Sequence, residues 1–133
     1  MTKLKKTVSE LCDQALREIE EITAAEADTM VKAGEGVIID IRDVRELRAG
    51  KIPGSFHCPR GMLEFWADPE CEYHKEVFAT EKKLILHCAL GLRSALGTKT
   101  LRDMGFANAV NLKGGFEAWK NANLPTEIPE KKS

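Results

Sequence analysis

No apolar stretch in the 133 residues approaches the ~18 needed to cross a membrane. The opening segment, MTKLKKTVSELCDQALREIEE, lacks the apolar centre of a secretory leader and turns acidic too soon for a transit peptide. No charge of one sign dominates: 20 Lys and Arg stand against 21 Asp and Glu, a net −1. That balance argues against nucleic acid or an anionic membrane as the main partner. Internal repeats and low-complexity segments are absent. Cysteine is sparse, with Cys12, Cys58, Cys71 and Cys88 and no C-x-x-C pair. With no leader, reduced thiols in the cytoplasm are expected. The remaining composition is ordinary, 43% hydrophobic and 31% charged. A chain of this length forms one domain and buries roughly two thirds of its unfolded surface without staples.

What is there alternates. Val8, Leu11, Cys12, Ala15, Leu16 and Ile19 recur at helical spacing, predicting an amphipathic helix over 7–21. Cys12 falls on its apolar face, which the domain itself or a partner, a second copy among them, has to cover. TAAE reads as a capping box, Thr23 with Glu26, opening a second helix that stops near Gly34 and Gly36. GVIID reads as a buried strand, followed by a charged loop and a helix of one or two turns. KIPGSFHCP holds a Pro-Gly turn and a short strand. Two short helical pieces flank Pro69. KLILHC is a second buried strand, Ser94–Met104 a helix, NAVNLK a third strand, and GGFEAWKNAN a last helix before the polar TEIPEKKS. Lys131 and Lys132 read as part of a solvated tail. Strands alternating with helices predict an α/β fold, a mostly parallel central sheet with helices on both faces, plus the extra N-terminal helix. Ligands of such sheets bind beyond the carboxyl ends of the strands.

Cys88 stands at such an end, in HCALGLRS, residues 87–94. Successive amides in a tight turn make an anion-binding concavity. The N-terminus of the following helix adds partial positive charge, and Arg93 a full one. Each favours the thiolate, the reactive form of cysteine. Gly91 lets the backbone curl. The pattern suits a cysteine nucleophile that attacks or carries an anionic group.

Four stretches, taken in order, resemble the rhodanese family over about residues 22–124: VIIDIRDVREL, GKIPGSFHCP, CALGLRS and LRDMGFANAVNLKGGFEAW. The resemblance implies a rhodanese-like three-layer fold in residues 22–124, an N-terminal helical extension in 1–21 and a polar tail in 125–133. It also implies a sulfurtransferase that needs no cofactor or metal. Cys88 would take a sulfane sulfur from a donor, hold it as a persulfide and yield it to a thiophilic acceptor. The amides of Ala89, Leu90, Gly91, Leu92 and Arg93 would cradle the sulfur, with Ser94 closing the loop. Arg93 would steer the anionic donor and stabilise the loop, Glu46 would pair with Arg93, and Asp40 and Arg42 would line the rim. The partners implied are a small anionic or persulfide donor such as thiosulfate, and a thiol, cyanide or protein acceptor. The protein would act as a monomer or weak homodimer. Two departures stand out. Lys51 replaces the usual histidine of the Pro-Gly turn, and Leu90 and Leu92 make the loop apolar, which weakens the case for thiosulfate as donor.

Other chemistries compete. A cysteine phosphatase or arsenate reductase of this fold would have five residues between Cys and Arg. Here four intervene, a cradle suited to one sulfur atom, and no aspartate general acid is evident. Cys71-x-x-His74 alone approaches zinc-ligand spacing, in an irregular segment. A non-catalytic interaction module would be expected to lack the loop cysteine. Cys58 is either a buried filler or a thiol that resolves the Cys88 persulfide. Phe65 and Trp66 wall the pocket or belong to the core, where Phe116 and Trp119 are expected.

Overall fold

The structure, a computed structural model, describes residues 2–129; Lys131 and Lys132 lie outside them. Five strands form one sheet: β1 (Glu21–Ile22), β2 (Gly36–Asp40), β3 (Phe56–His57), β4 (Lys83–His87) and β5 (Ala109–Leu112), in the order β1-β5-β4-β2-β3, every pair parallel. The central pair runs in register from Gly36 beside Lys83 to Asp40 beside His87. These strands are apolar on both sides because both faces are covered. Leu84 and Leu86 join Ile39 in one core, while Ile85 joins Ile38, Val110 and Leu112 in the other.

Helices α3 (Leu63–Ala67) and α4 (Leu92–Met104) cover the first face, and α2 (Ala24–Lys32) and α5 (Gly115–Asn121) the second. Helix α1 (Val8–Glu18) opens on a capping box of Thr7 and Glu10 and lies on α4. It buries Cys12 and Ala15 there, and Glu18 reaches Lys99 at 3.6 Å. The domain itself therefore covers part of the apolar face. Val8 and Leu11 remain exposed.

Three sequence expectations change. The first helix ends at Glu18, not Glu21, because Glu21–Ile22 leaves it to pair with Asn111–Leu112. Helix α4 starts two residues early, at Leu92, with Gly91 as its N-cap. The start of the polar tail is fastened: the Trp119 indole donates to Pro125 O at 2.7 Å, and Lys51 and Glu127 exchange backbone hydrogen bonds of 2.8 and 2.9 Å. The Thr23–Glu26 capping box forms as read. Asp43 and Glu46 make another, which fixes the 3₁₀ turn Val44–Ala49.

Candidate active site

All five strands point the same way, so the segments that follow them share one edge. Cys88 follows β4 and is buried, 1% exposed. Its Sγ accepts from the Gly91 amide at 3.1 Å, and from the amide and hydroxyl of Ser94 at 3.4 Å each. Gly91 has φ +99°, the left-handed backbone that turns its amide back on the sulfur while its carbonyl accepts from Ala95 N. Of the amides expected in the cradle, only that of Gly91 bonds Sγ, and Ser94 joins it. Those of Leu90, Leu92 and Arg93 take no protein acceptor among the described residues. They lie on the loop and first turn of α4, where amides have no intrahelical acceptor.

The loop is held from outside by α5. Phe116 N donates to Cys88 O at 2.8 Å and Glu117 N to Ala89 O at 3.1 Å. This approach is open only to glycine at 115: a Cβ there would lie 2.5 Å from Cys88 O and 2.8 Å from Ala89 C. Asn111 completes the fastening by donating to Gly91 O at 3.0 Å and to Glu21 at 3.0 Å. Gly114 and Gly115 lie in the LRDMGFANAVNLKGGFEAW stretch of the resemblance, but neither the contact of Gly115 with the loop nor the Asn111 bond follows from it. The available signal was an asparagine in an otherwise apolar strand.

Arg93 and Glu46 pair as expected, through two hydrogen bonds of 2.9 Å. The Arg93 hydrogen bond holds the Glu46 carboxyl down at about 2 despite partial burial. Glu46 in turn pushes Arg93 above its ordinary value. Asp40 and Arg42 are not at the rim, because the register that sets Asp40 beside His87 puts them inside. Asp40 is 0% and Arg42 4% exposed. Arg42 grips both Asp40 oxygens at 2.8–3.2 Å, donates to Gly50 O and lies 4.5 Å from the Phe116 ring centroid. Burial raises the Asp40 carboxyl, but the Arg42 hydrogen bond and the His87 charge outweigh it, and the net direction is down. His87, fully buried, stacks on Phe116 and sets Nδ1 3.1 Å from Cys88 O. Its Nε2 has no hydrogen-bond partner and lies 3.6 Å from Asp40. Burial pushes the imidazole below its ordinary value, against the pull of Asp40.

Cys58 cannot resolve Cys88 without backbone movement. His57 and His87 both pair with Asp40, one on each side, so Cys58 and Cys88 sit two strand spacings apart, roughly 9–10 Å. A disulfide spans at most ~7 Å between Cα atoms. Burial also pushes the Cys58 thiol up to about 12. Trp66 packs edge-on against Phe56 in the core, and Phe65 faces solvent. No three His, Cys, Asp or Glu among the described residues group as a metal site, and no described helix is long and apolar enough to cross a membrane.

Comparisons with known proteins place the chain in a family. The rhodanese-like domain family model matches residues 23–122. Thiosulfate sulfurtransferase GlpE of Glaesserella parasuis is 31% identical over 108 residues, 81% of this chain and 93% of that protein. The human thiosulfate:glutathione sulfurtransferase is 26% identical over 104 residues, 74% of this chain and 90% of that one. A solved structure from Rhodopseudomonas palustris, of a protein of unknown function described as a possible tyrosine phosphatase, superposes with a TM-score of 0.89. It is 47% identical and covers 96% of this chain and 98% of its own. The chain belongs to the rhodanese-like domain family.

Proposed function

We propose that the protein is a sulfurtransferase that carries a sulfane sulfur on Cys88. The observation that supports this most is the set of three donors on Sγ, closed by a loop with four residues between Cys88 and Arg93. Donors aimed at a sulfur favour its negative charge and need no rearrangement as charge develops. The Cys88 thiolate attacks the outer sulfur of a donor such as thiosulfate or a persulfide. A bond forms from Sγ to that sulfur, and the donor's S–S bond breaks with its electron pair leaving on the departing group. The persulfide's terminal sulfur then meets the amides of Leu90, Leu92 and Arg93. An acceptor thiol or cyanide attacks it and regenerates the Cys88 thiolate. All the groups come from one chain, so a monomer suffices. The four cysteines are unpaired, in keeping with a reducing compartment such as the cytoplasm. Thiocyanate formation from thiosulfate and cyanide tests this reading. Parallel double-reciprocal plots and no turnover by Cys88→Ser are expected; turnover by that variant would refute it.

The relative described as a possible tyrosine phosphatase gives a second reading. Two features weigh against it here. Both Arg93 terminal nitrogens are engaged by Glu46, and the loop is one residue short for a phosphate tetrahedron. Hydrolysis of an aryl phosphate that depends on Cys88, without thiocyanate formation, would favour that reading.

A further inference from the structure

The Cys88 loop turns two large apolar side chains out to solvent. Leu90 is 67% and Leu92 49% exposed, one on each side of the buried Gly91 whose amide reaches the sulfur. Neither belongs to either core.

Charge around this rim is balanced in sign. Arg93 is held by both oxygens of Glu46. Arg45 is held by Asp43 at 2.8 Å, and Arg42 is buried against Asp40. Beyond Gly91, Glu21 bonds the asparagine that fastens the loop, and the amide of the exposed Lys113 donates to Ile22 O. One charge of each sign lies there too. Transfer from thiosulfate expels sulfite, a dianion, from this edge: Cys–S⁻ + S–SO₃²⁻ gives Cys–S–S⁻ + SO₃²⁻. Transfer from an organic persulfide expels a neutral thiol, because the proton of the terminal sulfur moves to the departing sulfur: Cys–S⁻ + R–S–SH gives Cys–S–S⁻ + R–SH. A neutral apolar rim matches the second leaving group and desolvates poorly for the first.

We propose that the sulfur donor is an organic persulfide whose substituent R is uncharged and apolar, seated on Leu90 and Leu92. This rests on the reading that Cys88 carries sulfur. The test is single-turnover loading of Cys88, followed by intact mass, with benzyl persulfide, glutathione persulfide and thiosulfate. The first two share their reacting bond and differ in charge and apolarity, so their ratio isolates the substituent. Benzyl persulfide is expected to load with an apparent second-order constant about tenfold or more above glutathione persulfide, the equivalent of two or so buried methylenes. In a Leu90→Ser/Leu92→Ser variant that ratio should fall toward one. Both positions are exposed, and an unchanged melting temperature shows that the variant folds. A ratio near one in the wild type, a ratio the variant leaves intact, or faster loading by thiosulfate than by benzyl persulfide would each overturn the proposal while leaving Cys88 a sulfur carrier. No loading from any donor would overturn both.

Discussion

Gly115→Ala probes the close approach that shapes the sulfur cradle. Gly115 has φ +60°, and an alanine there meets Cys88 O at 2.5 Å and Ala89 C and O at 2.8 Å. These are backbone atoms, so relief requires the loop and α5 to part. Parting stretches the Phe116 N to Cys88 O and Glu117 N to Ala89 O hydrogen bonds. The left-handed backbone costs an L residue about 1–2 kcal/mol, and each lost hydrogen bond about 1. The sum is about 3–4 kcal/mol. At about 4 °C per kcal/mol for a chain of this size, the melting temperature falls by about 12–16 °C. Gly34→Ala is the control, because Gly34 has φ +73° but meets nothing within 4 Å of an added Cβ; it should lose about 1–2 kcal/mol. Urea titration of the three proteins gives the stabilities, and sulfur loading of Cys88 gives the function. Gly115→Ala should load on the order of 100–1,000-fold more slowly, as when one donor to a developing charge is lost, and Gly34→Ala at the wild-type rate. Equal stability losses in the two variants, or wild-type loading by Gly115→Ala, would refute the role given to α5.

Glu46→Gln removes half of the ion pair with Arg93. The folded carboxyl lies at about 2, against 4.5 ordinarily, so its contribution is complete above about pH 4.5 and is lost as pH falls toward 2. Both partners are partly exposed, which limits the effect to ~1 kcal/mol; unfolding free energies from urea titration should differ by that much at pH 7 and converge near pH 2–3, and a constant gap would contradict the assignment. Burial lowers the His87 imidazole. The unfolded chain therefore takes up a proton below about pH 6.5 that the native state refuses, and stability should drop as pH falls from 7 to 5. His87→Phe should flatten that slope; an unchanged slope would show that other groups cause it. Cys58→Ala should load sulfur on Cys88 at the wild-type rate. An oxidant-formed Cys58–Cys88 disulfide in the native wild type would contradict the two-strand separation.

Much of this architecture was legible where local signals agree with packing. GVIID and KLILHC read as buried strands because continuous apolar runs suit burial on both faces, and β2 and β4 follow them closely. The Thr23–Glu26 capping box fixed a helix start that the structure reproduces. Strand β1 was not legible: two residues carry no period, and their partner lies about ninety positions away in sequence. Cys88, its loop and the Glu46–Arg93 pair could be named from motif and resemblance. Asp40 and Arg42 were misplaced at the rim because strand ends usually hold surface charges; here the pair neutralises itself and can be buried. The Asn111 bond to Gly91 O and the His87 contact with Cys88 O depend on strand register, which no local pattern encodes.

The central claim, that Cys88 carries the sulfur, is tested most directly by intact mass. Purified protein is treated with thiosulfate or an organic persulfide, desalted and weighed beside Cys88→Ser. The account predicts a gain of one sulfur atom on the wild type alone, mapped to the peptide containing Cys88 and removed by cyanide. No gain from any donor, or an equal gain on Cys88→Ser, would contradict it.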